Sequence, residues 1–179
     1  AFYTRIYDEG KKSIFSVYLS ELYDIDEHQI MVGYGAEDLL KKTVHYFLTK
    51  GDNKTMLIPK FSWWYYKSIA DEVEGITEQY PMYEEADTFA YRLEELKDLV
   101  QQKRPRLLLL ASPNNPTGNG LTSNEMEDII ASVSRETIVV VDEAYASFVS
   151  KDATYIKRII EKKEEQDSTS APIERGDDE

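Results

Sequence analysis

Arg106-Leu107-Leu108-Leu109-Leu110-Ala111-Ser112-Pro113-Asn114-Asn115-Pro116-Thr117-Gly118 is the stretch on which the fold turns. An unbroken apolar run between prolines reads as a strand covered on both faces, which places it inside a parallel sheet with helices above and below. A second run, Thr137-Ile138-Val139-Val140-Val141-Asp142-Glu143-Ala144-Tyr145, repeats the pattern and ends in acid. In open α/β sheets the carboxyl ends of the strands present the ligand-binding groups, so position alone makes Asn115 and Asp142 candidates. A carboxylate closing a run of apolar β-formers is costly unless paired, so Asp142 needs a cationic partner. A proline after a buried strand suits a cis bond that would aim Asn115 across the sheet's carboxyl edge.

Working outward, apolar residues at helical spacing predict helices over 11–23, 38–49 and 92–101. Thr122-x-x-Glu125 fits a capping box that opens another, with Met126, Ile129, Ile130 and Val133 inward. Residues 29–32 read as a short extended piece, 55–58 as a strand ending at Pro59, and 76–83 as a further strand. An aromatic-rich helix is expected to run to about Ala70, and a last helix over 153–163. Strands alternating with helices imply repeated βαβ units. The expected class is α/β, a mostly parallel sheet with helices on both faces. One ordered domain over 1–163 is expected, followed by a polar tail over 164–179 whose composition suits disorder.

Composition narrows the function classes. The 179 residues are 41% hydrophobic and 12% aromatic, enough for a packed core. A net charge of −13 disfavours nucleic acid and anionic membrane as partners. No apolar stretch approaches a membrane span and the start lacks a signal-peptide pattern, so a cytoplasmic setting is the default expectation. With no cysteine, disulfides, thiolate metal sites and cysteine nucleophiles are excluded. His28 and His45 are the two histidines and are not at ligand spacing, so no metal site is expected.

Two further segments suit a ligand. Gly33-Tyr34-Gly35-Ala36-Glu37-Asp38 precedes a helix, where glycines let the backbone approach an anion and the helix start supplies N–H donors. As a dinucleotide fingerprint G-x-G-x-x-G it fails, because Asp38 stands at the third glycine position. Pro59-Lys60-Phe61-Ser62-Trp63-Trp64-Tyr65-Tyr66 offers aromatic rings able to stack on a planar heterocycle.

Taken together these motifs resemble the class I/II pyridoxal-phosphate-dependent aminotransferases, in the histidinol-phosphate branch, and the resemblance covers Arg5 to about Ile160. It implies the large domain of the fold type I pyridoxal-phosphate enzymes, in incomplete form, with pyridoxal 5′-phosphate as cofactor and small amino-acid and 2-oxo-acid substrates. It gives the phosphate to Gly35, Ala36 and Glu37. Phe61 becomes the stacking ring, with Trp64 as second choice. Asn115 and Tyr145 would reach the phenolic oxygen, and Asp142 the protonated pyridine nitrogen. Arg5-Ile6-Tyr7 resembles the segment whose tyrosine reaches the phosphate in the other subunit, which implies a homodimer with Tyr7 in a shared site.

The family's Schiff-base lysine follows the next strand, where this chain reads Asp167-Ser168-Thr169-Ser170-Ala171-Pro172. No catalytic residue is therefore assigned, and the chain is expected to be truncated before that lysine and inactive as a transaminase by itself. An incomplete sheet is expected to bring association or marginal stability. Two alternatives stand beside amino transfer: a non-catalytic binding or assembly domain, and a threonine-phosphate decarboxylase-like enzyme sharing the same cofactor contacts.

Overall fold

The computed structural model describes residues 14–149 and residue 155. Packing separates the chain into Gly33–Ala153, and Ala1–Val32 with Thr154–Glu179. Within the second of these units, α1 (Ile14–Tyr23) is followed by a single 3-10 turn, Glu27–Gln29. Asp26 caps that turn: its carboxylate accepts from the His28 N–H at 2.8 Å, while Gln29 reaches back to the Asp26 N–H at 3.3 Å. Residues 29–32 form no strand: Gln29 closes the 3-10 turn and the N–H of Ile30 is spent on the Glu27 carbonyl. The helix expected over 153–163, the tail and Tyr7 lie outside the described residues, residue 155 apart.

The unit Gly33–Ala153 carries the sheet. Its elements are α2 (Gly35–Leu48), β1 (Thr55–Pro59), α3 (Tyr65–Asp71), β2 (Ile76–Tyr80), β3 (Met82–Glu85), β4 (Thr88–Tyr91), α4 (Leu93–Lys103), β5 (Leu107–Ala111), α5 (Ser123–Ser132), β6 (Ile138–Asp142) and α6 (Ala146–Val149). Four strands form one parallel sheet in the order β2-β1-β5-β6. Every residue of β5 is buried, as its unbroken apolar run requires of an inner strand. Residues alternate across the sheet. Met56, Ile58, Leu107, Leu109 and Ala111 pack with Leu40, Val44 and Leu48 of α2 and with Tyr66, Ile69 and Ala70 of α3. Leu57, Leu108 and Leu110 face the other way and are equally buried, on the side left to α4 and α5, which pack against each other.

Two expectations are corrected by this unit. The strand over 76–83 is broken at Pro81, which has no N–H to give a ladder. Its first half joins the sheet as β2, and its second half, β3, pairs antiparallel with β4. Strand β6 is half-buried along its whole length instead of fully buried, because it is an outer strand among those described. Helix α6, directly after the site, was not anticipated.

The β1–β5 ladder pairs Met56 with Leu107 and Leu57 with Leu108. Beyond it, tyrosine hydroxyls take over: Tyr80 donates to the Leu109 carbonyl at 3.1 Å and Tyr91 to the Ala111 carbonyl at 2.9 Å. Burial holds the phenols of Tyr66, Tyr80 and Tyr91 above the usual tyrosine range. In the unfolded chain these groups lose their protons near pH ~10 while the native state keeps them. Above that pH the unfolded state binds fewer protons, so stability, intact below it, falls as pH rises toward the folded values. Urea midpoints at about pH 8 and about pH 11 test this, with a lower midpoint expected at the alkaline pH. Equal midpoints would contradict it.

The capping box appears as expected: Thr122 Oγ1 accepts from the Glu125 N–H at 3.3 Å, and the Glu125 carboxylate accepts from the Thr122 N–H at 2.8 Å. Thr122→Ala is expected to destabilise the protein by about 1 kcal/mol, read as a drop in urea midpoint at unchanged slope.

Candidate active site

Strands β5 and β6 run parallel in register from Leu107 opposite Ile138 to Ala111 opposite Asp142, so both deliver their following loops to one edge. After β5 the chain turns sharply, with cis bonds at Ser112–Pro113 and Asn115–Pro116. Asn114 fixes this turn from within. It is buried, its amide nitrogen donates to the Phe61 carbonyl at 2.6 Å and to Thr117 Oγ1 at 2.7 Å, and its backbone bonds Asn119 and Gly118. Ser112 adds a tie at each side, its N–H donating to the Asp142 carbonyl at 3.0 Å and its Oγ accepting from the Leu121 N–H at 2.9 Å. The outcome is a rigid loop that leaves Asn115 facing a cavity.

That cavity has a volume of about 120 Å³. Its walls are Ala36 from the first turn of α2, Trp63 and Tyr66 from the α3 region, Pro113 and Asn115 from the β5 loop, and Asp142, Ala144 and Tyr145 after β6. Asp142 is the one carboxylate among these walls. One carboxylate oxygen accepts the Tyr66 hydroxyl at 2.7 Å, and the other accepts the Ala144 N–H at 3.0 Å. Among the described residues no lysine or arginine forms an ion pair with it. Burial and the adjacent Asp142 charge push the Tyr66 phenol far above the ordinary range, so it stays a donor.

The start of α2 is shaped by Gly35, at φ 85°, where an added Cβ would meet no neighbour but would strain the backbone. Asp38 folds back to accept the Tyr34 N–H at 3.0 Å and pairs with Lys42 at 2.7 Å; the bond from Lys42 leads in lowering its pKa. Ala36 is the residue of this turn at the cavity wall, flanked by Gly35 and Glu37.

The structure thus gathers Ala36, Asn115, Asp142 and Tyr145 around one space. Phe61 does not border it: the ring packs edge-on to Phe89 at 5.4 Å, with the Lys60 ammonium 5.3 Å from its centre. Trp64 is 72% exposed and lies outside it as well. Where the resemblance pointed to Phe61 and Trp64, the aromatic walls besides Tyr145 are Trp63 and Tyr66. Their signal was present in the spacing: Tyr66, Ile69 and Ala70 are the buried stripe of α3, and Trp63 continues it one turn earlier. Asn114 was also passed over, since its role depends on the carbonyl of a residue in a different loop.

The family model for aminotransferase class I and II matches residues 2–170. The chain belongs to that family. Among curated relatives, histidinol-phosphate aminotransferase 2 of Haemophilus influenzae (strain 86-028NP) is 32% identical over 134 residues, covering 75% of this chain and 35% of the relative. Histidinol-phosphate aminotransferase 1 of Mesorhizobium japonicum is 34% identical over 132 residues, covering 73% and 34%. The chain therefore spans about a third of the length of these relatives. Among solved structures, histidinol-phosphate aminotransferase from Sinorhizobium meliloti in complex with pyridoxal-5′-phosphate matches with a TM-score of 0.70 at 21% identity, over 83% of this chain and 39% of that one. This likeness establishes the fold.

Proposed function

We propose that the cavity binds pyridoxal 5′-phosphate and that the protein transfers an amino group between an amino acid or amino-phosphate and a 2-oxo acid, as histidinol-phosphate aminotransferases do. Asp142 carries this reading. Its carboxylate opens on the cavity at a strand end, anchored by two neutral donors and ion-paired with no lysine or arginine among the described residues. Such a group stabilises a cationic ligand, and a protonated pyridine ring supplies one.

The remaining residues fit the same ligand. Asn115 and the Tyr145 hydroxyl, which line the same cavity, offer donors for a phenolic oxygen. The first turn of α2, at Gly35, Ala36 and Glu37, offers backbone N–H groups and the positive end of the helix dipole to a phosphate. Trp63 offers the ring face that resemblance assigned to Phe61, because Trp63 stands at the wall and Phe61 is engaged with Phe89. When bound, the cofactor supplies an electron sink for charge developing at a substrate's α-carbon. Asp142 would keep that sink effective by holding the proton on the ring nitrogen, and Asn115 of the β5 loop would help to orient the ring.

Among the described residues no lysine borders the cavity. Holding the cofactor is accordingly proposed for these residues and amino transfer for the whole protein. The reading includes a second copy of the chain, since resemblance directs Tyr7 to the phosphate of a partner subunit.

Thermal melting in the presence of pyridoxal phosphate, pyridoxamine phosphate and NAD tests the assignment. Saturation at ~100 times Kd is worth about 2.7 kcal/mol, a shift of several degrees. The two vitamin B6 phosphates are expected to raise the melting temperature and NAD to leave it unchanged. Stabilisation by NAD alone would refute the reading.

A further inference from the structure

Asp142 is held by a residue that the proposed chemistry does not itself require. Tyr66 reaches it from α3, an element 76 residues earlier in the chain, with Oη 2.7 Å from the carboxylate. The Tyr66 ring is 2% exposed and packs in the main core cluster, with Trp63 edge-on at 5.8 Å. A ring so confined has one available rotamer, so its hydroxyl is a fixed point. The second anchor, the Ala144 N–H, belongs to the loop that follows Asp142 and moves with it.

We propose that Tyr66 is a positioning residue whose buried hydroxyl holds the Asp142 carboxylate turned into the cavity, toward the ring nitrogen of a bound pyridine. This rests on the cofactor reading given above and adds to it a residue acting through Asp142. A neutral donor suits the task. It fixes one oxygen without cancelling the charge, as an arginine would, and leaves lone pairs free for the ligand. Without the hydroxyl the carboxylate keeps only its local backbone bond and is free to rotate toward solvent.

The test compares two probes, pyridoxamine 5′-phosphate and its analogue with carbon in place of the ring nitrogen, by calorimetric titration of the whole chain. Neither probe needs a lysine to bind. Wild type is expected to favour the nitrogen-bearing probe. In Tyr66→Phe, and in Tyr66→Met, which fills similar space without a hydroxyl, that preference is expected to shrink about tenfold. The carbon analogue should bind as before. Equal weakening of both probes, or an unchanged ratio, overturns the positioning role while leaving the cofactor reading intact. Absence of binding or of preference in wild type overturns the cofactor reading and this inference with it. Should both variants unfold, wild type labelled at the hydroxyl-bearing carbon of tyrosine carries the test. One buried tyrosine resonance must then shift with pyridoxamine phosphate and not with the carbon analogue; a spectrum indifferent to the difference overturns the proposal.

Discussion

Asp142→Asn is expected to raise the dissociation constant for pyridoxamine 5′-phosphate about 100-fold, the loss typical when one side of a desolvated, hydrogen-bonded charge pair is removed. The substitution preserves shape; the carboxamide oxygen can accept from the Ala144 N–H while its NH2 donates to the Tyr66 oxygen, so the apo fold should change by about 1 kcal/mol at most. The effect is therefore on charge. In the wild-type protein the carboxylate is anchored at 2.7 Å and 3.0 Å by neutral groups, and no lysine or arginine among the described residues pairs with it. A cationic ring gains from that charge in surroundings where water is partly excluded. Calorimetric titration of the variant, paired with its melting curve, separates loss of affinity from loss of fold. Unchanged affinity in a folded variant would mean that the ligand's positive charge is not met at this position.

Leu108→Ala is expected to destabilise the protein by about 3 kcal/mol, within the range for a fully buried leucine that leaves a cavity. Leu108 is completely buried and its backbone lies between Leu57 of β1 and Val139 of β6. Collapse around the missing atoms would have to bend two ladders, so relaxation is limited and the cost stays high. Against a typical domain stability of about 5–15 kcal/mol, such a loss removes a large share. Urea denaturation is expected to show a lower midpoint with the slope conserved. A loss below about 1 kcal/mol would show that this side of β5 is loosely packed.

Some of this molecule is written in short-range pattern and some is not. The leucine run of β5 declares an inner parallel strand because nothing else tolerates apolar side chains on both faces. Asn115 and Asp142 follow from it, since a polar residue closing such a strand stands at the edge where ligands bind. The cap at Thr122 and Glu125 is equally local. By contrast, the β3–β4 hairpin is hidden behind Pro81 and carries acidic residues at its turn, so its pairing partner cannot be read from alternation. The aromatic run at 61–66 is dense enough that any of its rings could face a ligand. Only the phase of α3, fixed by burial of Ile69 and Ala70, selects Trp63 and Tyr66. The Tyr66–Asp142 and Asn114–Phe61 bonds join residues 76 and 53 positions apart, and no local signal encodes them.

The most direct measurement of the central claim is the protonation state of the ring nitrogen in pyridoxamine 5′-phosphate bound to this chain, followed by nitrogen-15 NMR across pH. Facing Asp142, the nitrogen is expected to keep its proton to a higher pH than in free solution, and to lose that advantage in Asp142→Asn. A bound ring that titrates as it does in water, or an advantage that survives the substitution, would contradict the account.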